Sequence, residues 1–255
     1  MPENDNHALA LLVRRLGLRG DLSADDREAI LALPYTRRKL TAGQYLVWDG
    51  DAPRNTCLLL SVFAFRHKHA GNGGRQILSF HMEGDLIDLQ NSLLGISDHN
   101  VQMLTAGEVA LIPVELVRDI AFRCPTVGMA LWYETLVESA IFREWVVNIG
   151  RRDARTRIAH LLCEFALRLE LAELGQHTTY TLPITQEQLA DAVSLTSVHV
   201  NRTLMKLEED KLITRTKRMI SIVDWDELVS VADFQPRYLH LTRPAAVPQI
   251  AQGAS

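Results

Sequence analysis

The chain has few of the residues that would assign it to several common protein classes. Only three of its 255 residues are cysteines, Cys57, Cys124 and Cys163, and they form neither a CxxC pair nor a disulfide framework. Its apolar runs are shorter than the ~18 residues that a membrane helix requires. Its N-terminus is polar and acidic, unlike a secretion signal. We therefore expect a cytoplasmic protein that makes no membrane contact.

A strongly basic composition is also absent. The formal net charge is -4, while 47% of the residues are hydrophobic. An acidic total argues against a protein that coats nucleic acid, but it allows one that binds through a local basic surface. The length is sufficient for two domains, each with its own hydrophobic core.

Short apolar segments alternate with glycine-containing turns between positions 35 and 113. This spacing predicts an antiparallel β-roll or barrel. Two short helices are expected before it, over residues 8–17 and after the N-cap Ser23. Together these parts form the first expected unit, residues 1–125.

One long helix is expected over residues 126–150, which contain no proline. Its length of about 37 Å follows from a rise of ~1.5 Å per residue. One apolar stripe follows coiled-coil spacing and is the predicted dimer interface: Ala130, Tyr133, Val137, Ala140 and Val147. A second stripe is available to face the roll: Val127, Leu131, Ile141 and Trp145. The alternative is a helix buried wholly within a monomer. The helix and a hinge near residues 150–153 make up the second unit, residues 126–152.

The segment from position 184 to 213 predicts two helices joined by a tight turn. Thr185 and Thr196 are suitable N-caps for helices over residues 186–192 and 197–208. The second helix has an apolar stripe at helical spacing, Val200, Leu204 and Leu207. A major groove of DNA accepts a helix whose opposite face carries short polar groups and an arginine. An ordinary helical hairpin is the alternative.

A predicted β-hairpin follows, with strands over residues 213–216 and 219–223 and a basic turn at Lys217 and Arg218. A helix-turn-helix followed by such a hairpin is typical of a winged DNA-binding domain, here residues 153–234. The residues expected to contact DNA are Thr185, Gln186, Thr196, Ser197, Val198, His199, Asn201, Arg202, Lys206, Lys217 and Arg218. The remaining residues, 235–255, are rich in proline and small side chains and are expected to be disordered.

This order of parts resembles the CRP/FNR family of bacterial transcription regulators. The resemblance is strongest in LADAVSLTSVHVNRTLMKLEEDKLI and GRRDARTRIAHLL, and weaker in AGQYLVWDGD and EGDLIDL. It implies an α+β fold with an N-terminal antiparallel β-roll like a cyclic-nucleotide-binding domain, a long dimerisation helix and a C-terminal winged helix-turn-helix. It also implies a homodimer on two-fold-related half-sites of double-stranded DNA, with RNA polymerase as a partner. On this basis we expect no enzymatic activity.

By resemblance, Ser197, Val198 and Arg202 stand where well-known family members place base-contacting residues. Val198 departs from the glutamate that many members use to accept a hydrogen bond from cytosine, but valine can contact a thymine methyl group. Asn201 lies on the same face and can bond an adenine edge. Ser194 replaces a glycine that is common in the turn. A left-handed serine there costs on the order of 1 kcal/mol.

Family members that bind cyclic AMP share a Gly-Glu pair followed by an arginine. Between Gly84 and Val101 this chain has no arginine or lysine, so a bound phosphate would lack a cation. We therefore expect that cyclic AMP is not the effector. The candidate effector pocket is Asp85, Asp88, Asp98 and His99. This cluster suits a neutral or cationic ligand, or it holds the loops of the roll together. The sequence identifies no cofactor.

Other functions remain as alternatives. The chain could be a cyclic-nucleotide-type or metal-binding regulatory module rather than a transcription factor. An enzyme built on the roll is a further alternative, with His67, His69 and Asp88 as the nearest metal ligands. It has no clustered cysteines for an iron–sulfur site. Cys124, which precedes Pro125, is the one cysteine that we would test for thiol sensing.

Overall fold

The computed structural model describes residues 6–241. The chain starts with two helices, α1 (Asn6–Gly17) and α2 (Ala24–Leu31). Ser23 caps α2 by accepting a hydrogen bond from the Asp26 amide, and the Asp26 carboxylate accepts one from the Ser23 amide in return.

Two four-stranded antiparallel sheets then form the predicted β-roll. One sheet has the strand order β1-β8-β3-β6 and the other has the order β2-β7-β4-β5. The strands are β1 (Thr36–Leu40), β2 (Tyr45–Val47), β3 (Asn55–Leu59), β4 (Ala64–His69), β5 (Arg75–His81), β6 (Leu86–Ile87), β7 (Asn100–Met103) and β8 (Gly107–Pro113). A short helix, α3 (Asn91–Leu94), connects β6 to β7. Between the sheets lies an apolar core that includes Leu59, Ile87, Val101 and Val109.

Three helices lead from the roll to the C-terminal domain: α4 (Val114–Arg123), α5 (Pro125–Arg151) and α6 (Ala154–Leu171). The long helix α5 extends one residue beyond the predicted 126–150 at each end. Arg152 and Asp153 separate α5 from α6. The Asp153 carboxylate accepts a hydrogen bond from the Thr156 amide and so begins the new helix.

The C-terminal domain consists of β9 (Thr179–Thr181), α7 (Gln186–Val193), α8 (Ser197–Glu209), β10 (Ile213–Thr216), β11 (Met219–Ile222) and α9 (Trp225–Val231). The three strands form one antiparallel sheet in the order β10-β11-β9. The helices α6, α7 and α8 pack around a shared apolar core. The predicted α+β class, with its winged helix-turn-helix, is confirmed.

The predicted disorder after position 234 needs correction for the residues nearest the domain. A 3-10 helix, Pro236–Leu239, packs against α5. Leu239 is buried, and the Tyr238 hydroxyl donates a 2.8 Å hydrogen bond to the buried Glu164 carboxylate. These aromatic and apolar contacts, which composition does not reveal, hold the segment in place. Residues 242–255 lie outside the described part of the chain. Within residues 6–241, no helix has the length and apolar character needed to cross a bilayer.

Candidate nucleic-acid interface

The helix-turn-helix is fixed by local capping at both helices. Thr185 accepts a hydrogen bond from the Gln188 amide, and the Gln188 side chain bonds back to the Thr185 amide. Thr196 caps α8 through the His199 amide. Ser194, in the turn, has the left-handed conformation considered from the sequence, with φ 54° and ψ 48°.

One face of α8 is buried and the opposite face is exposed. The buried stripe contains the predicted Val200, Leu204 and Leu207, together with Thr203. On the other side, Asn201 and Arg202 are exposed, and Val198 is 78% exposed despite being apolar. Such an exposed valine beside polar groups suits contact with a thymine methyl group. Gln186 of α7 donates a 3.2 Å hydrogen bond to Oδ1 of Asn201 and so orients that amide.

The outward face of α8 includes one exposed residue that was not predicted. Met205 is 50% exposed and follows Arg202 by three positions, so it continues the same face. Met205 is not among the residues predicted to contact DNA, although its i+3 spacing from Arg202 indicates the same face.

Two acidic residues at the end of α8 pair with other arginines, so the outward cations remain without ion-pair partners in the described part of the chain. Arg215 pairs with Glu208 at 2.6 Å and Arg155 pairs with Asp210 at 2.7 Å. The hydrogen bond from Arg215 lowers the pKa of Glu208, which keeps that carboxylate charged and engaged. The four cations among the residues predicted to contact DNA have no ion-pair partner among residues 6–241: Arg202, Lys206, Lys217 and Arg218. All the residues predicted to contact DNA are exposed except His199, which is half-buried.

The predicted effector cluster does not form a single site. The Asp88 Oδ1 atom lies 3.1 Å from Nη2 of Arg66 and 2.9 Å from Nε2 of His99. Burial opposes ionisation of Asp88, but the hydrogen bond from His99 and the charge of Arg66 hold its pKa below the usual range. The other nitrogen of His99 contacts Asp98 at 2.8 Å. These three residues are joined, but Asp85 belongs elsewhere.

Asp85 forms separate ion pairs with Arg15 and Arg168, each at 3.2 Å. The cations missing from the segment between Gly84 and Val101 therefore come from α1, β4 and α6. Sequence reasoning missed Arg15, Arg66 and Arg168, because nothing local signals that such distant positions meet the acidic segment.

A cavity of about 490 Å³ lies between the roll and α5. Much of its wall is apolar: Ile77, Leu78, Phe142, Trp145, Val146 and Ile149. Arg66 also borders it, but this guanidinium bonds to both Asp88 and Glu138. Of the predicted effector residues, Asp98 and His99 line this cavity, whereas Asp85 and Asp88 do not.

The histidine pair on β4 is a poor metal site. His67 is fully buried, and neither ring nitrogen has a hydrogen-bond partner in the described chain. Burial lowers the pKa of His67 to about 4, and His69 lies with its ring centroid 5.0 Å away. Across residues 6–241, no three His, Cys, Asp or Glu side chains are grouped to hold a metal ion. Cys124 is half-buried and has no disulfide partner.

The predicted dimer stripe needs correction. Ala130, Val137 and Ala140 are at most 5% exposed, because the chain's own residues cover them. Tyr133 contacts Arg19, whose guanidinium lies 5.6 Å from the ring centroid. Val147 alone is largely accessible. The interface residues named from the sequence mainly serve the protomer's own packing.

A third stripe of α5 is exposed instead. It consists of Met129, Trp132, Leu136 and Val146, each more than half accessible. We call these four residues the outer stripe. They follow three-four spacing, with Ser139 and Arg143 filling the positions between Leu136 and Val146.

Comparison with known proteins places this geometry among transcription regulators. Residues 156–231 match the family model described as a Crp-like helix-turn-helix domain. The chain is 29% identical over 213 residues to the transcriptional activator protein FnrL of Cereibacter sphaeroides, covering 81% of this chain and 85% of that protein. It is 26% identical to the nitrogen fixation regulation protein FixK of Azorhizobium caulinodans, covering 78% and 79% of the two chains. The solved structure of FixK2 from Bradyrhizobium japonicum has the same fold, with a TM-score of 0.71 and 20% identity over 78% of this chain and 98% of that one.

Proposed function

Because this chain belongs to the CRP/FNR family and is a DNA-binding transcription regulator, we propose that it binds two-fold-related DNA half-sites as a homodimer. The outward face of α8 carries this proposal. Its exposed Val198, Asn201 and Arg202 stand beside cations that have no ion-pair partner in the described chain. FnrL is named a transcriptional activator, and by that analogy we propose RNA polymerase as a partner and the cytoplasm as the location.

Each exposed group on α8 has a suitable counterpart on DNA. Arg202 can donate two hydrogen bonds to the O6 and N7 atoms of guanine, Asn201 can bond adenine, and Val198 can contact a thymine methyl group. The exposed hydroxyl and amide groups around the helix-turn-helix, together with Lys217 and Arg218 of the wing, are placed to contact phosphates. The proposed half-site therefore contains a guanine near adenine and thymine.

The outer stripe of α5 is the proposed dimer contact. Its three-four spacing fits the seam of a two-stranded coiled coil, and Trp132 supplies a large apolar surface near its N-terminal end. Leu136→Glu would place a charge in that seam without disturbing a residue buried in the protomer. Light scattering should report a dimer for the wild type and a monomer for this variant. A monomeric wild type at micromolar concentration would contradict the proposal.

We also propose that cyclic AMP is not the effector. A phosphate near Arg66 would have to displace Asp88 or Glu138, both of which already neutralise this guanidinium. Calorimetric titration should give no saturable heat with micromolar cyclic AMP. A saturable signal would refute this part of the proposal.

The DNA-binding proposal is tested by selecting bound sequences from random DNA. The wild type should enrich an inverted repeat, and Arg202→Ala should lose the preference for guanine at one position of each half. Arg123→Ala is a matched control, because Arg123 is exposed on α4 and pairs with Asp119, away from α8. Selection that enriches no sequence would overturn the proposal.

A further inference from the structure

The turn of the helix-turn-helix is bonded directly to the roll. Gln76 of β5 donates from Nε2 to the backbone carbonyl of Ala192 at 3.2 Å. The Ser194 hydroxyl donates to Oε1 of the same Gln76 at 2.7 Å. A single amide side chain thus bonds both the last turn of α7, at Ala192, and the turn that follows it, at Ser194.

These bonds satisfy groups that the end of a helix leaves unpaired. The last carbonyls of α7 have no partners within the helix. Gln76 bonds the carbonyl of Ala192, and Nη1 of Arg157 bonds that of Val193 at 3.1 Å. Ser194 adopts its left-handed conformation beside Gln76. A glycine at this position would relieve the strain but could not supply the hydroxyl.

The neighbouring residue of β5 strengthens the same contact. Arg75 pairs with Asp191 of α7 at 2.7 Å, and both side chains are less than a quarter exposed. Together, Arg75 and Gln76 hold the end of α7 against the roll. Since α8 follows that turn directly, its position relative to the roll depends on β5.

We propose that Gln76 is a positioning residue for DNA recognition, which fixes α8 relative to α5 and so sets the half-site spacing that the dimer accepts. This inference rests on the proposed dimeric function. Gln76 lies on β5 of the roll and acts through Ser194 and Ala192. It also lines the 490 Å³ cavity, so a molecule bound there would contact the side chain that holds the turn.

The test measures affinity for inverted repeats that share the same half-sites but differ in spacer length by one base pair. The wild type should prefer one spacer. Gln76→Ala should retain the base preference within each half-site but lose about tenfold of the discrimination between spacers, because the two hydrogen bonds from Gln76 to Ala192 and Ser194 disappear from each protomer. Gln76→Glu keeps the acceptor for Ser194 but loses the donor, so an intermediate loss is expected.

Gln102→Ala is the matched control, since Gln102 lies on β7 of the same roll and donates to the Gly43 carbonyl at 2.7 Å. It should retain the spacer preference of the wild type. Ser194→Ala removes only an exposed hydroxyl and provides a second variant if Gln76→Ala fails to fold. An unchanged spacer profile in the folded variants would overturn the inference, as would an equal loss of affinity for all spacers. Either result would leave the proposed function intact, because that function depends on the wild type enriching an inverted repeat.

Discussion

Arg202 of the winged domain and Arg66 of the roll are placed in opposite ways. Arg202 is exposed on α8 and has no ion-pair partner among the described residues. Arg66 is 3% exposed and lies between Asp88 and Glu138. An exposed, unpaired guanidinium can bind an external anion without breaking an existing bond. A buried, paired one stabilises the fold and must give up a partner before it can bind a ligand.

The largest expected effect is on specific DNA binding. Arg202→Ala should weaken the operator complex by about 2–6 kcal/mol, because each of two protomers loses ~1–3 kcal/mol of base discrimination. Its free energy of unfolding should stay within about 0.5 kcal/mol of the wild type, since the side chain is exposed. Titration against operator and scrambled DNA, paired with urea denaturation, measures both quantities. If Arg202→Ala bound operator and scrambled DNA with the same affinities as the wild type, Arg202 would not contact DNA.

The reciprocal substitution in the roll should act on stability. Arg66→Ala leaves the buried Asp88 carboxylate without its guanidinium partner, so the free energy of unfolding should fall by about 3–5 kcal/mol. Urea denaturation of this variant beside Arg202→Ala compares the two regions directly. A loss below about 1 kcal/mol would mean that the pair in the roll does not stabilise the fold, and the contrast would then disappear.

Acid should destabilise the fold through the buried His160. Burial lowers the pKa of His160 to about 4, and its Nε2 lies 3.0 Å from the Tyr238 hydroxyl. The unfolded chain takes up a proton near pH 6.5, so stability from neutral His160 is complete above that pH and is lost between about pH 6.5 and 4. The loss is about 3 kcal/mol. In unfolding measured across this range, His160→Gln should lose less stability than the wild type. Parallel curves for wild type and His160→Gln would exclude this residue as a source of acid sensitivity.

The smallest effect is expected at the wing. Arg218→Ala should weaken specific and non-specific DNA alike, because a phosphate contact carries no base preference. The slope of log affinity against log salt should become shallower by about one unit for each phosphate that the variant no longer neutralises. Binding at several salt concentrations measures this slope. A loss of affinity confined to the operator would instead assign Arg218 a role in base recognition.

Local signals predicted the winged domain well. Thr185 and Thr196 cap their helices through amides only three residues away, and Val200 and Leu204 mark the buried face of α8 by spacing alone. Such contacts lie within one or two helical turns, so the spacing of residues along the chain is sufficient to predict them.

Which sides of α5 are buried and which are exposed could not be predicted in the same way. Three of its stripes are apolar, and which one stays exposed depends on elements that are distant in the sequence. Arg19, from the N-terminal segment, bonds to Glu134 and stacks on Tyr133. In the roll, Arg66 reaches Asp88 only because the sheets fold over each other. These pairings depend on tertiary packing, which spacing along the chain does not specify.

The 3-10 helix after the winged domain restricts the motion between the two domains of the protomer. The Arg19 guanidinium, near the start of the chain, donates a 2.6 Å hydrogen bond to the carbonyl of His240, near its end. The winged domain is therefore held at the hinge, where Arg152 and Asp153 follow α5, and again after its last helix, where residues 236–239 pack on α5 and Arg19 bonds His240. A domain fixed at two points cannot swivel freely about one. If the winged domain rotates relative to the roll, the contacts of residues 236–241 must either move with it or break first. Arg19 and residues 236–241 therefore restrict how the two domains move relative to each other.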